Sequence, residues 1–190
     1  MSYKDGKLLY HLTSVSNLES IISLGLLSRN NVKYFDDVAD QEIIDFRREN
    51  NLNDLVPFHF FAKNPFDGRV MKDNPHKEFI YICIHRDFAK ANNFKIIPKH
   101  PKSMETLKLY DYREGIEIID WNTMDIRDYV GNNYCKQVCM AECLSEKTIN
   151  PVNFFSFFVK TELTEKHLLS LHKRILKWEP FRVNVRPNMF

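Results

Sequence analysis

The sequence predicts an α+β domain, and three observations carry that prediction. Strand-like and helix-like segments follow one another without the regular alternation that a doubly wound parallel sheet requires. Only 5 of the 190 residues are glycine, which leaves no Gly-rich phosphate loop of the Walker or Rossmann kind. The length suits one domain over residues 1–190, and 44% hydrophobic residues, 15 Phe among them, supply a core without metals or disulfides.

The elements follow in order. LLYHL, residues 8–12, reads as a strand. Ser16 is placed to cap the next helix, with Glu19 completing a capping box, and Leu18, Ile21, Ile22 and Leu24 form an apolar face before Gly25 ends it. A second helix is expected over residues 37–50, with Val38, Ile43, Ile44 and Phe46 inward. Arg47 and Arg48 fall in its last turn, where the helix dipole favours cations. Neighbours on a helix diverge by about 100°, so at most one of these two arginines points into any one site.

VPFHFFA, residues 56–62, and FIYICIHR, residues 79–86, are β-rich runs separated by a loop with two prolines and a glycine. Shorter strands are expected at 94–98 and 117–120. CKQVCMAECL follows, then an apolar strand within 153–160, a basic amphipathic helix over 165–178 and the alternating strand FRVNVR. The helix carries Lys166, Lys173, Arg174 and Lys177, which read as a solvated face.

A formal charge of +2 means that any binding of nucleic acid relies on local basic clusters. The chain has no apolar run of membrane-spanning length, and MSYKDGK lacks the apolar core of a secretion signal, so a cytoplasmic protein without membrane contact is expected. Cys135, Cys139 and Cys143 recur every four residues and Cys83 stands apart. Zinc sites use closer pairs and a second cluster, so these read as buried free thiols and no metal is expected.

Two places carry candidate chemistry. His11 and Thr13 share one face of the first strand, next to a helix start whose free N–H groups suit a polar ligand, although a strand histidine also serves structure alone. Glu142 sits inside the apolar run MAECL, where a carboxylate is either exposed on an alternating strand or buried with a partner. No second carboxylate at a telling spacing suggests a glycosidase pair.

Four segments in order, YHLTSVSNLESIISLGLLS, EIIDFRR with VPFHFFAKNP, IIDWNTM and MAECL, together with the tail FRVNVRPNMF, resemble the DarT family of NAD-dependent ADP-ribosyltransferase toxins that modify nucleic-acid bases. The resemblance implies a split, mostly antiparallel β-sheet with surrounding helices and NAD in the cleft. It implies that His11, Leu12, Thr13, Ser20 and Ser28 bind NAD, that Arg48, the second of the pair, is the family's catalytic arginine and that Glu142 is its catalytic glutamate.

A carboxylate beside the nicotinamide ribose would stabilise the oxocarbenium character of the transition state. A cationic arginine suits the NAD diphosphate or a deprotonated base better than proton abstraction. The segment before Glu142 corresponds to the substrate-facing loop, which makes Arg127, Tyr129, Tyr134 and Lys136 candidates for stacking on an unpaired base and for phosphate contact.

The chain departs from the family where Cys139 and Met140 replace Arg-Gln before the Ala-Glu pair, and where Phe66, Asp67 and Gly68 replace an apolar-aromatic triplet. Both departures concern the parts expected to meet nucleic acid. The resemblance therefore leaves thymine or guanine in single-stranded DNA, or an RNA base, as targets, within a toxin–antitoxin or phage-defence system that implies an antitoxin partner. A non-catalytic nucleic-acid-binding module and a protein-directed transferase are the alternative readings.

Overall fold

The structure, a computed structural model, describes residues 2–176 and 181–190. Strands β1 (Leu8–Ser14), β2 (Val56–His59), β3 (Phe79–His85), β4 (Lys95–Ile97), β5 (Tyr110–Asp111), β6 (Glu142–Ser145), β7 (Ser156–Val159) and β8 (Arg182–Val185) form one sheet in the order β5-β4-β6-β2-β1-β3-β7-β8. All pairings are antiparallel except β7 with β8. Helices α1 (Leu18–Leu24), α2 (Gln41–Glu49), α3 (Pro65–Asp73), α4 (Arg86–Ala91), α5 (Tyr112–Ile118), α6 (Trp121–Ile126), α7 (Asn133–Val138) and α8 (Glu162–Ile175) surround it. The α+β class and the predominantly antiparallel sheet are as predicted.

The sheet is split in its middle. β1 pairs with β3 over seven residues, from Leu8↔His85 to Ser14↔Phe79, but meets β2 only at Tyr10↔His59. Beyond that rung the two half-sheets diverge, and the imidazole of His11 spans the gap, its Nδ1–H donating to the Pro57 carbonyl at 2.7 Å. The continuous apolar run of β3 is explained by its inner position, because both its faces are covered. Leu9, Phe58, Ile80, Ile82 and Cys143 lie in the core on one face of the sheet. Leu12, Tyr81 and Cys83 form a second cluster on the other.

Several boundaries differ from the sequence reading. Ser16 does not cap α1: the chain first makes a 3-10 turn over Val15–Asn17, and the Ser16 hydroxyl bonds to Asp36 instead. Residues 117–120 belong to α5 and its end, because Tyr112, Gly115 and Ile119 are buried at helical and not alternating spacing. The expected loop after β2 contains α3, whose start Asn64 caps through bonds from the amides of Phe66 and Asp67, with Pro65 in the first turn. The second helix begins at Gln41 on the cap Asp40, four residues later than expected. Lys177 of the predicted basic helix lies outside the described residues. All four cysteines are free and buried.

α5 lies against β4 so closely that a Cβ on Gly115 would overlap the Ile96 side chain. Gly115→Ala is therefore expected to lower stability by roughly 1–3 kcal/mol despite its better helix propensity, seen as a lower urea midpoint.

Candidate active site

Glu142 opens β6 and is held in register opposite His59 of β2 on one side and Ile97 of β4 on the other. It is 7% exposed, so the exposed-strand reading of this acid does not hold. Its partner is Arg47: Nη1 donates to both carboxylate oxygens, at 3.1 and 2.9 Å, while Nη2 donates to the Leu52 carbonyl at 3.3 Å. A buried charge of either sign needs such a partner.

The Arg48 expectation needs a correction. Its side chain is 65% exposed and bonds to Asp45 at 2.6 Å, one turn back on the outer face of α2. Arg47 is 7% exposed and turns into the site. The reason is helical: the two residues point about 100° apart, and only the face of α2 carrying Arg47 addresses the sheet.

The cleft begins at the split. A cleft with about 980 Å³ of empty space, part of it open to solvent, is walled by His11, Leu12, Thr13, Ser20 and Ser28, each expected to bind cofactor, and also by Arg29, Arg47, Asn53, His59 and Asp67. A second cavity of about 480 Å³ holds Glu142 and His100. The two share Arg29, Arg47, Pro57, His59 and Phe66 as common walls, so the half of the site carrying His11 and the half carrying Glu142 adjoin.

Leu12 enters this cleft through its main chain. The Lys7 carbonyl and the Val15 amide bond to the strand on the β3 side, so odd residues of β1 turn their backbone groups to β3 and even ones to the split. Its side chain packs in the opposite cluster. The Thr13 hydroxyl accepts from Asn17 at 3.2 Å, and Asn17 also bonds the backbone of Asp36 in both directions. That network fastens the segment 35–39, which forms the outer wall. Ser28 accepts from Asn31 at 2.8 Å.

Electrostatics divide the cleft into parts. Burial pushes His11 down to about 4, so it is neutral near pH 7 with its Nε2 lone pair available. Burial, helped by neighbouring Arg47, lowers Arg29 to about 10, still cationic, and it is paired with Asp37. Two cations thus line one cleft, a suitable setting for a diphosphate. Burial raises Asp67 to about 6 even though its Oδ2 accepts from Asn64 at 2.8 Å and from Tyr81 at 3.0 Å. In the sequence Arg47 stands out only as the neighbour of Arg48 and Asp67 only as a departure from the family, and neither Arg29 nor His59 stands out; the one local signal among these is the Asn-Pro cap ahead of α3, the helix that carries Asp67.

His11 has a measurable consequence for stability. Its folded value lies below the ordinary 6.5, so between about pH 6.5 and pH 4 the unfolded chain binds a proton that the folded chain refuses. Stability falls as pH drops through that window, by on the order of 3 kcal/mol from this group. His11→Asn, which keeps a donor near Pro57, is expected to remove that component from the pH dependence of the urea midpoint.

The expected nucleic-acid contacts lie outside both cavities. Arg127 donates to Tyr129 and to Tyr3, each at 2.8 Å, and its guanidinium stands 5.1 Å from the Phe61 ring centre. Tyr134 is exposed and reaches Asp120 at 3.4 Å, and Lys136 is exposed on the same helix α7. Arg127 and Tyr129 thus form one cluster, with Tyr134 and Lys136 on the helix that leads into β6. Among the described residues no group of three or more His, Cys, Asp or Glu is placed to hold a metal, and no helix is long and apolar enough to cross a membrane.

The sequence matches the profile of DarT, described as ssDNA thymidine ADP-ribosyltransferase, over residues 10–190. The chain belongs to the DarT family. It is an NAD-dependent ADP-ribosyltransferase, as that membership entails. Its fold is similar to Thermus sp. 2.9 DarT in complex with ADP-ribosylated ssDNA, with a TM-score of 0.85 and 17% identity over 100% of this chain and 99% of that one. The same DarT in complex with NAD+ gives a TM-score of 0.78 and 16% identity over 98% of both chains. Thermosipho africanus DarTG in complex with ADP-ribose gives 0.74 and 21% identity over 97% of this chain and 51% of that one. No curated protein sequence matches the chain.

The cleft's own chemistry suits a dinucleotide. The neutral imidazole of His11 and the Leu12 main chain, turned toward the split, suit hydroxyl and amide groups, and Arg29 and Arg47 suit phosphates.

Proposed function

We propose that the chain transfers ADP-ribose from NAD to thymine in single-stranded DNA, with Glu142 at the reacting sugar. The observation that carries this reading is the buried Glu142–Arg47 pair at the junction of the two cavities. NAD lies in the larger cavity against His11, Leu12, Thr13, Ser20 and Ser28, and the thymine enters from the side of Glu142.

The carboxylate stabilises positive charge growing on the ribose as nicotinamide leaves. Arg47, in the role first expected of Arg48, fixes that carboxylate and adds a cation beside the diphosphate. A single strand is required because a duplex buries the Watson–Crick edge of the base. Tyr134 and Lys136 supply an exposed aromatic and a cation along the DNA path, and Arg127 and Tyr129 shape the loop that presents them. The DarT family description and the Thermus sp. 2.9 complex with ADP-ribosylated ssDNA support DNA over RNA. The likeness to Thermosipho africanus DarTG supports a toxin neutralised by an antitoxin partner.

The test is incubation with labelled NAD and, in parallel, single-stranded DNA with and without thymine, duplex DNA, RNA and protein. Label is expected on thymine-containing single strands. Label on RNA or protein in place of DNA overturns the reading, as does label on thymine-free DNA.

A further inference from the structure

We propose that His59 is the general base that removes the ring proton of the target thymine, an inference that rests on the reading of thymine as acceptor. In thymidine the one ring nitrogen carrying a proton is N3, and it becomes a nucleophile only when that proton leaves. The site must therefore hold a group with a free lone pair near the reacting sugar.

Neither member of the central ion pair fits this task. Both oxygens of Glu142 accept from the Arg47 cation, which makes the carboxylate a weaker base and keeps its charge for the sugar, and Arg47 is a cation without a lone pair, bonded to Glu142 and to the Leu52 carbonyl. His59 does fit. Its Nδ1 lies 3.0 Å from the Ala141 carbonyl, which only accepts, so Nδ1 carries a hydrogen and Nε2 is the nitrogen whose lone pair can take a proton. The anchoring carbonyl belongs to the residue before Glu142, and His59 is the register partner of Glu142 across β2 and β6. The imidazole is thereby tied at both backbone and side chain to the strand end that carries the carboxylate.

His59 is also a wall of both cavities, as a group between cofactor and acceptor base must be. It is 8% exposed, and the Phe66 ring, 5.6 Å away, limits its access to water. The charged and titratable groups around it come from five elements: Arg47 on α2, Glu142 on β6, Asp67 on α3, His11 on β1 and His100 ahead of Pro101. Arg29 and Lys102, which line the same cavities, are held by Asp37 and Glu42. Asp67 has one carboxylate oxygen without a hydrogen-bond partner and is in electrostatic reach of His59, so it favours the imidazolium that proton transfer creates.

The step balances. The N3–H bond breaks with its proton going to Nε2 of His59, the N3 pair forms the bond to C1 of the nicotinamide ribose, and the pair of the breaking C1–N bond leaves on neutral nicotinamide. His59 then returns its proton to solvent.

His59→Asn, whose amide nitrogen can still donate to Ala141, is expected to stay folded and, at saturating NAD, to lose roughly 10²–10⁴-fold in transfer rate. Its rate should keep rising about tenfold per pH unit, because the base must ionise unaided, whereas the wild-type rate levels off. An oligonucleotide with 5-fluorouracil, whose N3–H is more acidic, should recover much of the variant's loss. The same readouts in His59→Gln guard against a folding defect in one variant.

Variants that bind NAD and transfer to thymine within threefold of wild type, or that show the wild-type pH profile, overturn the proposal and leave the function standing. So does a wild-type rate independent of pH between roughly pH 8 and pH 5, the span in which imidazoles titrate. A wild-type enzyme that labels no thymine overturns the function itself.

Discussion

Glu142→Gln is expected to lower ADP-ribose transfer by roughly 10³-fold or more while leaving a folded, NAD-binding protein. The physical basis is charge: the amide has the shape of the carboxylate but does not stabilise an oxocarbenium-like sugar, and removing one preorganised electrostatic partner costs about 10²–10³-fold in comparable sites. The structure sets the stability side. The glutamine oxygen still accepts from Arg47, so one hydrogen bond survives, but the buried guanidinium loses its counter-charge, at about 1–3 kcal/mol. Thermal melting with and without NAD separates the two effects, and transfer within tenfold of wild type in the variant would remove Glu142 from the chemistry.

The second large effect is a contrast between neighbours. Arg47→Ala is expected to abolish transfer and to destabilise the fold by about 3–5 kcal/mol, because it leaves the Glu142 carboxylate buried and unpaired. Arg48→Ala is expected to change stability by about 0.5 kcal/mol or less and to leave transfer at the wild-type rate, since its exposed pairing with Asp45 is worth little. Arg47→Lys restores a charge but not two-oxygen contact, and should recover part of the stability and little of the rate. The pair of alanine variants, assayed side by side, decides which arginine serves the site; an inactive Arg48→Ala with an active Arg47→Ala would reverse the assignment.

That contrast shows how far the sequence could be read. The angular divergence of adjacent helical residues limits the site to one arginine, but choosing which one requires the rotation of α2 about its axis. The packing of Phe46 against the cluster of Leu52, Leu55, Ile97 and Leu144 sets that rotation, and no local pattern encodes it. The strands β1, β3, β4, β7 and β8 were legible because alternation or continuous apolar runs mark them. α5 was misread because a four-residue window cannot separate helical from alternating spacing, and α3 because Pro, Gly and Asn signal a loop unless the cap is weighed with them.

The resemblance pointed to His11, Leu12 and Thr13 as a group, and the structure gathers them on one cleft. His59 was invisible for a different reason. Its importance comes from cross-strand register with Glu142, 83 positions away, and register is a property of the folded sheet.

The single rung between β1 and β2 gives the molecule a seam in place of a continuous hydrogen-bonded fabric. Elsewhere in the sheet neighbouring strands hold each other through several bonds, but here one lip carries His11 and the other carries His59, with Glu142 behind it. A dinucleotide lodged against both lips acts as a rivet: the free energy of its attachment goes into keeping the two lips at a fixed spacing. Occupancy by the co-substrate and alignment of the reacting groups are then one mechanical event.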